Sequence, residues 1–150
     1  MSDVAAAELT DLELAAWRGF LRTHAELFKA LDAELDAAHR LPLTTYEVLI
    51  SLLHAPGRRL RMAELASRML LSRSGVTRLV DRLERDGLLR REECADDGRG
   101  LFAVLTDEGE RALAAARPTH LAGVRRRFLD RLSDDDQRTL ARIWDLIRAD

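Results

Sequence analysis

Between Ser72 and Asp86 the chain places Arg73, Ser74, Thr77, Arg78 and Arg82 around a narrow apolar stripe of Val76, Leu79, Val80 and Leu83. At about 3.6 residues per turn the stripe forms one buried seam and leaves the guanidinium and hydroxyl groups outside it. Such a helix fits a major groove, because Arg forks onto guanine edges while Ser and Thr reach bases or phosphates. Ser74, Thr77 and Arg78 take the positions of base-edge readers. Ser72, Arg73 and Arg82 suit phosphate contacts that fix register. Taken alone, the same residues also describe an ordinary solvated helix crossed by salt bridges.

Other chemistry is poorly represented. There is no phosphate-cradling Gly loop, no GxSxG and no paired Cys or His cluster, so neither an enzyme nor a cofactor is expected. His24, His39, His54 and His120 are widely spaced and lack acidic partners at ligand spacing. Ordinary surface or core histidines account for them, and no metal site is predicted.

The elements that must position the arginine helix lie within residues 60–106. Met62, Leu65, Ala66 and Met69 recur at the i, i+3, i+4, i+7 spacing of a one-sided helix. Leu70, Leu71 and Ser72 make a turn in which Ser72 is the N-cap of the next helix. Gly87 then stands where a C′ glycine ends it. The runs Leu88 to Glu93 and Leu101 to Thr106 read as two strands flanking the polar tip Ala95-Asp96-Asp97-Gly98-Arg99-Gly100. Arg59-Leu60-Arg61 reads as a short strand that pairs with this hairpin and covers its edge. Helix, turn, helix and hairpin predict a winged helix-turn-helix, a mainly α fold with a small β-hairpin wing.

The run LLSRSGVTRLVDRLERDGLLRR, followed by DDGRGLFAVLTDEG, resembles the MarR (multiple antibiotic resistance regulator) family of bacterial transcription factors. The family's wing signature, Asp-x-Arg with Leu-Thr a few residues on, is met by Asp97, Arg99, Leu105 and Thr106. The resemblance covers nearly the whole chain and implies that its two ends interlock around a two-fold axis. Arg99 would enter the minor groove from the wing tip, with Asp97 holding that arginine or a neighbouring one in place. Gly98 stands where many members carry a second arginine, which leaves one basic side chain for that groove. The family commonly binds aromatic or phenolic molecules between the dimer helices and the winged helix. Trp17, Phe20, His24, His39 and Tyr46 would line such a crevice here.

The chain has 150 residues, which suits one domain with helical extensions, and a formal net charge of −2. The charge is unevenly spread. Residues 57–91 carry ten basic and four acidic side chains, residues 1–40 four and eight, and residues 101–150 nine of each. A basic centre between acidic or neutral ends is the footprint of a DNA-reading module. Among the 24 basic residues only Lys29 is lysine, a bias that extends beyond the basic centre and follows GC-rich coding. No run of 18 apolar residues exists, and the first residues lack the basic and apolar regions of a signal peptide. One cysteine excludes an intramolecular disulfide, and together these features predict a cytoplasmic protein without a membrane span.

The flanks complete the plan. Leu14, Trp17, Leu21, Leu27, Phe28, Leu31 and Leu35 recur helically from Asp11 to about His39. A helix that long outreaches a small winged helix, so its apolar surplus calls for a second copy of the chain or an intramolecular lid. Pro42 closes this helix, and Thr44-x-x-Glu47 reads as the capping box of the next. Thr106 caps a helix from Asp107 that should bend near Pro118 and extend through Leu132. Ser133 with Asp136 opens a last helix striped by Leu140, Ile143, Trp144 and Ile147. The expected organisation is an N-terminal dimerisation helix (1–40), a winged helix (41–106) and C-terminal dimerisation helices (107–150).

The expected function is a homodimeric regulator on a near-palindromic duplex, a repressor of a nearby promoter released by a small, aromatic or phenolic ligand. One alternative is a winged helix that docks an acidic protein partner without reading DNA sequence. Another is redox sensing through Cys94, although Glu92, Glu93, Asp96 and Asp97 surround that thiol with charge unfavourable to reactivity.

Overall fold

Thr10 starts the first helix by a capping box, its hydroxyl accepting from Glu13 N while the Glu13 carboxylate accepts from Thr10 N at 2.8 Å. The computed structural model describes residues 8–95 and 100–149. Helix α1 (Asp11–His39) spans the predicted range. It ends as Arg40 turns left-handed, ahead of Pro42. Then follow α2 (Leu43–His54), strand β1 (Arg59–Arg61), α3 (Met62–Arg68) and α4 (Arg73–Arg85). Strands β2 (Leu89–Glu93) and β3 (Leu101–Leu105), α5 (Asp107–Arg127) and α6 (Asp134–Arg148) complete the chain.

Strand β3 is central in the antiparallel sheet, with β1 on one side and β2 on the other. Leu60 of β1 and Arg91 of β2 both stand opposite Ala103. The expected short strand therefore does cover the wing, and it does so through β3. Leu35, Leu49, Leu65, Leu83, Leu89 and Leu113 bring five helices and the sheet to one core. Fully burying each leucine contributes roughly 1.5–3 kcal/mol.

Two local readings are corrected. Thr44 does not cap α2, which begins at Leu43 after Pro42 with no side-chain cap of its own. Its first amide donates instead to Asp32 Oδ1 of α1 at 2.8 Å, and Thr45 is buried inside the helix. A cap from the preceding helix removes the need for a local one. Helix α5 runs unbroken through Pro118 and stops at Arg127, short of Leu132; a 3-10 turn at Leu129–Arg131 follows. Pro118 is exposed, whereas Leu113, Ala116 and Gly123 of the same helix are buried. Packing along that face outweighs one missing hydrogen bond.

Helices α1 and α5 meet at Gly123, where a Cβ would lie 2.8 Å from Leu31 Cδ2 and 2.5 Å from Glu34 Oε2 and would push both side-chain ends aside. Glu34 Oε1 accepts from Arg126 at 2.8 Å and from both Nε and a terminal nitrogen of Arg127. These arginines, Arg127 first, hold its carboxyl below the usual range.

One titratable group in this layer gives a pH prediction. His120 packs against Tyr46 with the rings tilted by 43° and their centroids 4.4 Å apart, and its Nδ1 is buried with no partner among the described residues. Burial lowers its pKa below the ordinary 6.5. As pH falls through that value the unfolded chain takes up the proton first, so the folded state loses stability on the acid side. Denaturation midpoints measured at about pH 7.5 and about pH 5.5 should separate, and the part due to this residue should vanish in His120→Phe. An unchanged pH dependence in that variant would remove His120 as the cause.

Candidate nucleic-acid interface

The turn before α4 sets the site. Leu70 takes a left-handed φ of 54° and is 92 % exposed, and Ser72 then caps the helix by accepting from Gly75 N at 3.0 Å. Val76, Leu79, Val80 and Leu83 are all buried, as their spacing predicts, and Gly87 leaves the helix with φ 77°. This seam holds α4 against the core and turns its other residues outward. Arg73, Ser74, Thr77, Arg78 and Arg82 are all exposed. Among the described residues, no hydrogen bond or ion pair engages the guanidinium groups of Arg73, Arg78 or Arg82. The hydroxyls are partly used. Ser72 and Ser74 lie 3.2 Å apart, and Thr77 donates to the Arg73 carbonyl at 2.8 Å. In that rotamer Thr77 presents lone pairs, suited to an amino group of cytosine or adenine.

The carboxylates of α4 behave differently from its arginines. Asp81 and Glu84 are both taken by Arg91 of β2, which also reaches the Thr77 carbonyl at 3.4 Å. Sequence reading did not single out Arg91. The signal was there: two acids at i, i+3 on a basic helix, then a glycine turn and an Arg-Arg strand. Only the fold shows which arginine closes on them. Nearby, Arg59 pairs with Glu92 at 3.2 Å and stands 4.4 Å over the Phe102 ring, fastening β1 to the wing. A cleft of about 730 Å³ opens between α4 and the wing, lined by Arg61, Met62, Arg73, Thr77, Asp81 and Arg91.

Asp97 and Arg99 lie outside the described residues. Cys94 is 3 % exposed at the root of the wing, and its amide donates to the Gly100 carbonyl at 3.0 Å. The five aromatic and histidine residues expected at an effector crevice divide into two places. Trp17, Phe20 and His24 form a ladder along α1 with ring centroids 6.1 and 6.3 Å apart, and Phe20 also meets Trp144 of α6 at 5.5 Å. His39 and Tyr46 are engaged by α5, through Thr119 at 2.8 Å and His120 respectively. Among the described residues no cluster of His, Cys, Asp or Glu is placed to hold a metal ion, and no helix is long and apolar enough to cross a membrane.

A three-stranded wing beside a helix whose cations point away from the core defines a winged-helix domain of the kind that transcription factors use. Comparison with known proteins narrows this. A MarR family model matches residues 41–100. The crystal structure of AbsC, a MarR family transcriptional regulator from Streptomyces coelicolor, superposes with a TM-score of 0.88 at 37 % identity over 95 % of each chain. That of Sco3205, a regulator of the same family and organism in complex with DNA, has a TM-score of 0.88 at 38 % identity, covering 94 % of this chain and 89 % of that one. The HTH-type transcriptional regulator YkoM of Bacillus subtilis is 34 % identical over 119 residues, which is 77 % of this chain and 75 % of that protein. The chain belongs to the MarR family. It is a transcriptional regulator and not an enzyme.

Proposed function

We propose that the chain acts as a homodimeric repressor that reads a near-palindromic duplex with two copies of α4 and lets go when a small aromatic ligand binds. The observation that carries this reading is that, among the described residues, Arg73, Arg78 and Arg82 have no partner on the exposed side of α4, beside acidic residues that are already neutralised. The DNA complex of a regulator 38 % identical to this chain supports it. In this reading Ser74, Thr77 and Arg78 meet base edges, Ser72, Arg73 and Arg82 meet phosphates, and Arg99 enters the minor groove, placed by Asp97. Two such helices about 34–36 Å apart would read successive major grooves on one face of the duplex. A ligand preferring a dimer of different helix spacing lowers DNA affinity by its differential binding alone. The aromatic ladder of α1, where it meets Trp144, favours a flat apolar ligand.

The test is selection of duplexes from a random-sequence pool, then titration of the enriched duplex against a scrambled one across salt. Sequence preference with a steep salt dependence is expected. Indifference to DNA would favour docking of an acidic protein instead. Arg78→Ala should cost about 1–3 kcal/mol and relax specificity at one position of each half-site. Arg82→Ala should weaken all sequences alike and reduce the salt slope by about 1. Unchanged binding by Arg78→Ala would remove it from the base readers.

A further inference from the structure

Helix α4 carries four arginines, Arg73, Arg78, Arg82 and Arg85, but also Asp81 and Glu84 on the same exposed cylinder. Carboxylates there oppose DNA in two ways. They repel phosphate directly, and they compete for the arginines. Asp81 stands three residues after Arg78 and four before Arg85, both within pairing reach on a helix. Yet neither arginine is paired with it. Arg91 reaches in from β2 and donates to Asp81, to Glu84 Oε1 at 3.1 Å and to the Thr77 carbonyl at 3.4 Å, while its amide donates to Glu84 Oε2 at 2.8 Å. Its side chain is 22 % exposed, the least of the three, and both of its terminal nitrogens donate inside the protein.

We propose that Arg91 is a charge-masking residue: by occupying Asp81 and Glu84 it keeps Arg78 and its neighbours free to face DNA, without itself contacting the duplex. The inference rests on the DNA-binding reading above and names a residue that serves it from behind. Removing Arg91 uncovers Asp81, which captures Arg78 across one turn and withdraws a cation from the interface. Affinity and salt slope then fall together, because fewer phosphate counterions are displaced.

The experiment uses the full chain and the duplex it enriches from a random pool. Arg91→Ala should bind roughly ten- to hundredfold more weakly, with a salt slope lower by about 1. Adding Asp81→Asn and Glu84→Gln to that variant should restore both affinity, to within about threefold of the parent, and slope. A triple variant as weak as Arg91→Ala would overturn the proposal, since masking leaves Arg91 nothing further to do once both acids are gone. Should Arg91→Ala fail to fold, Asp81→Asn/Glu84→Gln with Arg91 intact decides: masking predicts parental or tighter binding, and a clear loss sinks it. Parental binding by a folded Arg91→Ala also rejects the inference and leaves the DNA-binding reading standing. A pool that shows no enrichment with the parent overturns both.

Discussion

Gly109→Ala is expected to destabilise the protein by about 3 kcal/mol, near the upper end of the usual cost of overpacking. A Cβ built at this position would lie 2.0 Å from the Leu88 carbonyl oxygen and 2.8 Å from Leu105 Cδ1. The oxygen has little freedom to retreat. It accepts from Thr106 N at 3.3 Å, while the Thr106 hydroxyl donates to the Gly87 carbonyl at 2.6 Å and accepts from Gly109 N at 3.0 Å. These bonds join the end of α4, the start of β2 and the first turn of α5 at one point. An added methyl must therefore lift α5 away from the root of the wing or break the cap of α5. For a chain of this length the loss corresponds to roughly 6–12 °C in the melting midpoint. A thermal melt within about 2 °C of the parent would show that the approach is softer than the geometry states.

That glycine illustrates what local pattern could and could not reveal. The apolar seam of α4, the Ser72, Thr106 and Ser133 caps and the left-handed Gly87 all follow from neighbours within a few residues, and all were readable in the sequence. Gly109 looked like an ordinary position in an acidic first turn, because its constraint comes from the Leu88 carbonyl, which precedes β2 and is distant in sequence. Asp32 capping Leu43 and Arg91 closing on Asp81 and Glu84 share that character. Each depends on two elements meeting. Where a local rule and packing conflicted, packing prevailed: Thr44 gave up its cap to Asp32.

The exposed cations of the site were legible for a related reason. A residue that must reach a partner outside the chain cannot be buried, so its outward placement follows from the apolar stripe opposite it. Which polar groups were already committed inside was not legible. Thr77 and Arg91 sit among similar residues in the sequence and differ only in what they touch. The basic centre between acidic and neutral ends indicated a polyanion from composition alone. It could not show that the acids of α4 are neutralised from within.

The second large effect is expected at the end of the chain, in Leu146→Lys combined with Ile147→Lys. Helix α6 buries no residue within its own chain, and these two side chains are 69 % and 68 % exposed. Leu12, Trp17 and Phe20 on α1 are also exposed, and Phe20 meets Trp144, so the apolar surplus of both ends converges. Lysines near a helix C-terminus suit its dipole, so α6 itself should persist and helical content should not change. In a dimer that covers this face, however, two ammonium groups per chain would have to be buried without partners, at a cost of several kcal/mol each. Sedimentation should therefore show a monomer. With only one α4 available per particle, affinity for a complete two-half-site duplex should fall roughly 10²–10⁴-fold, while binding to an isolated half-site stays near that of the parent. A variant that still sediments as a dimer would place the subunit contact elsewhere. A monomer that binds the complete site as tightly as the parent would mean that affinity does not depend on pairing two recognition helices.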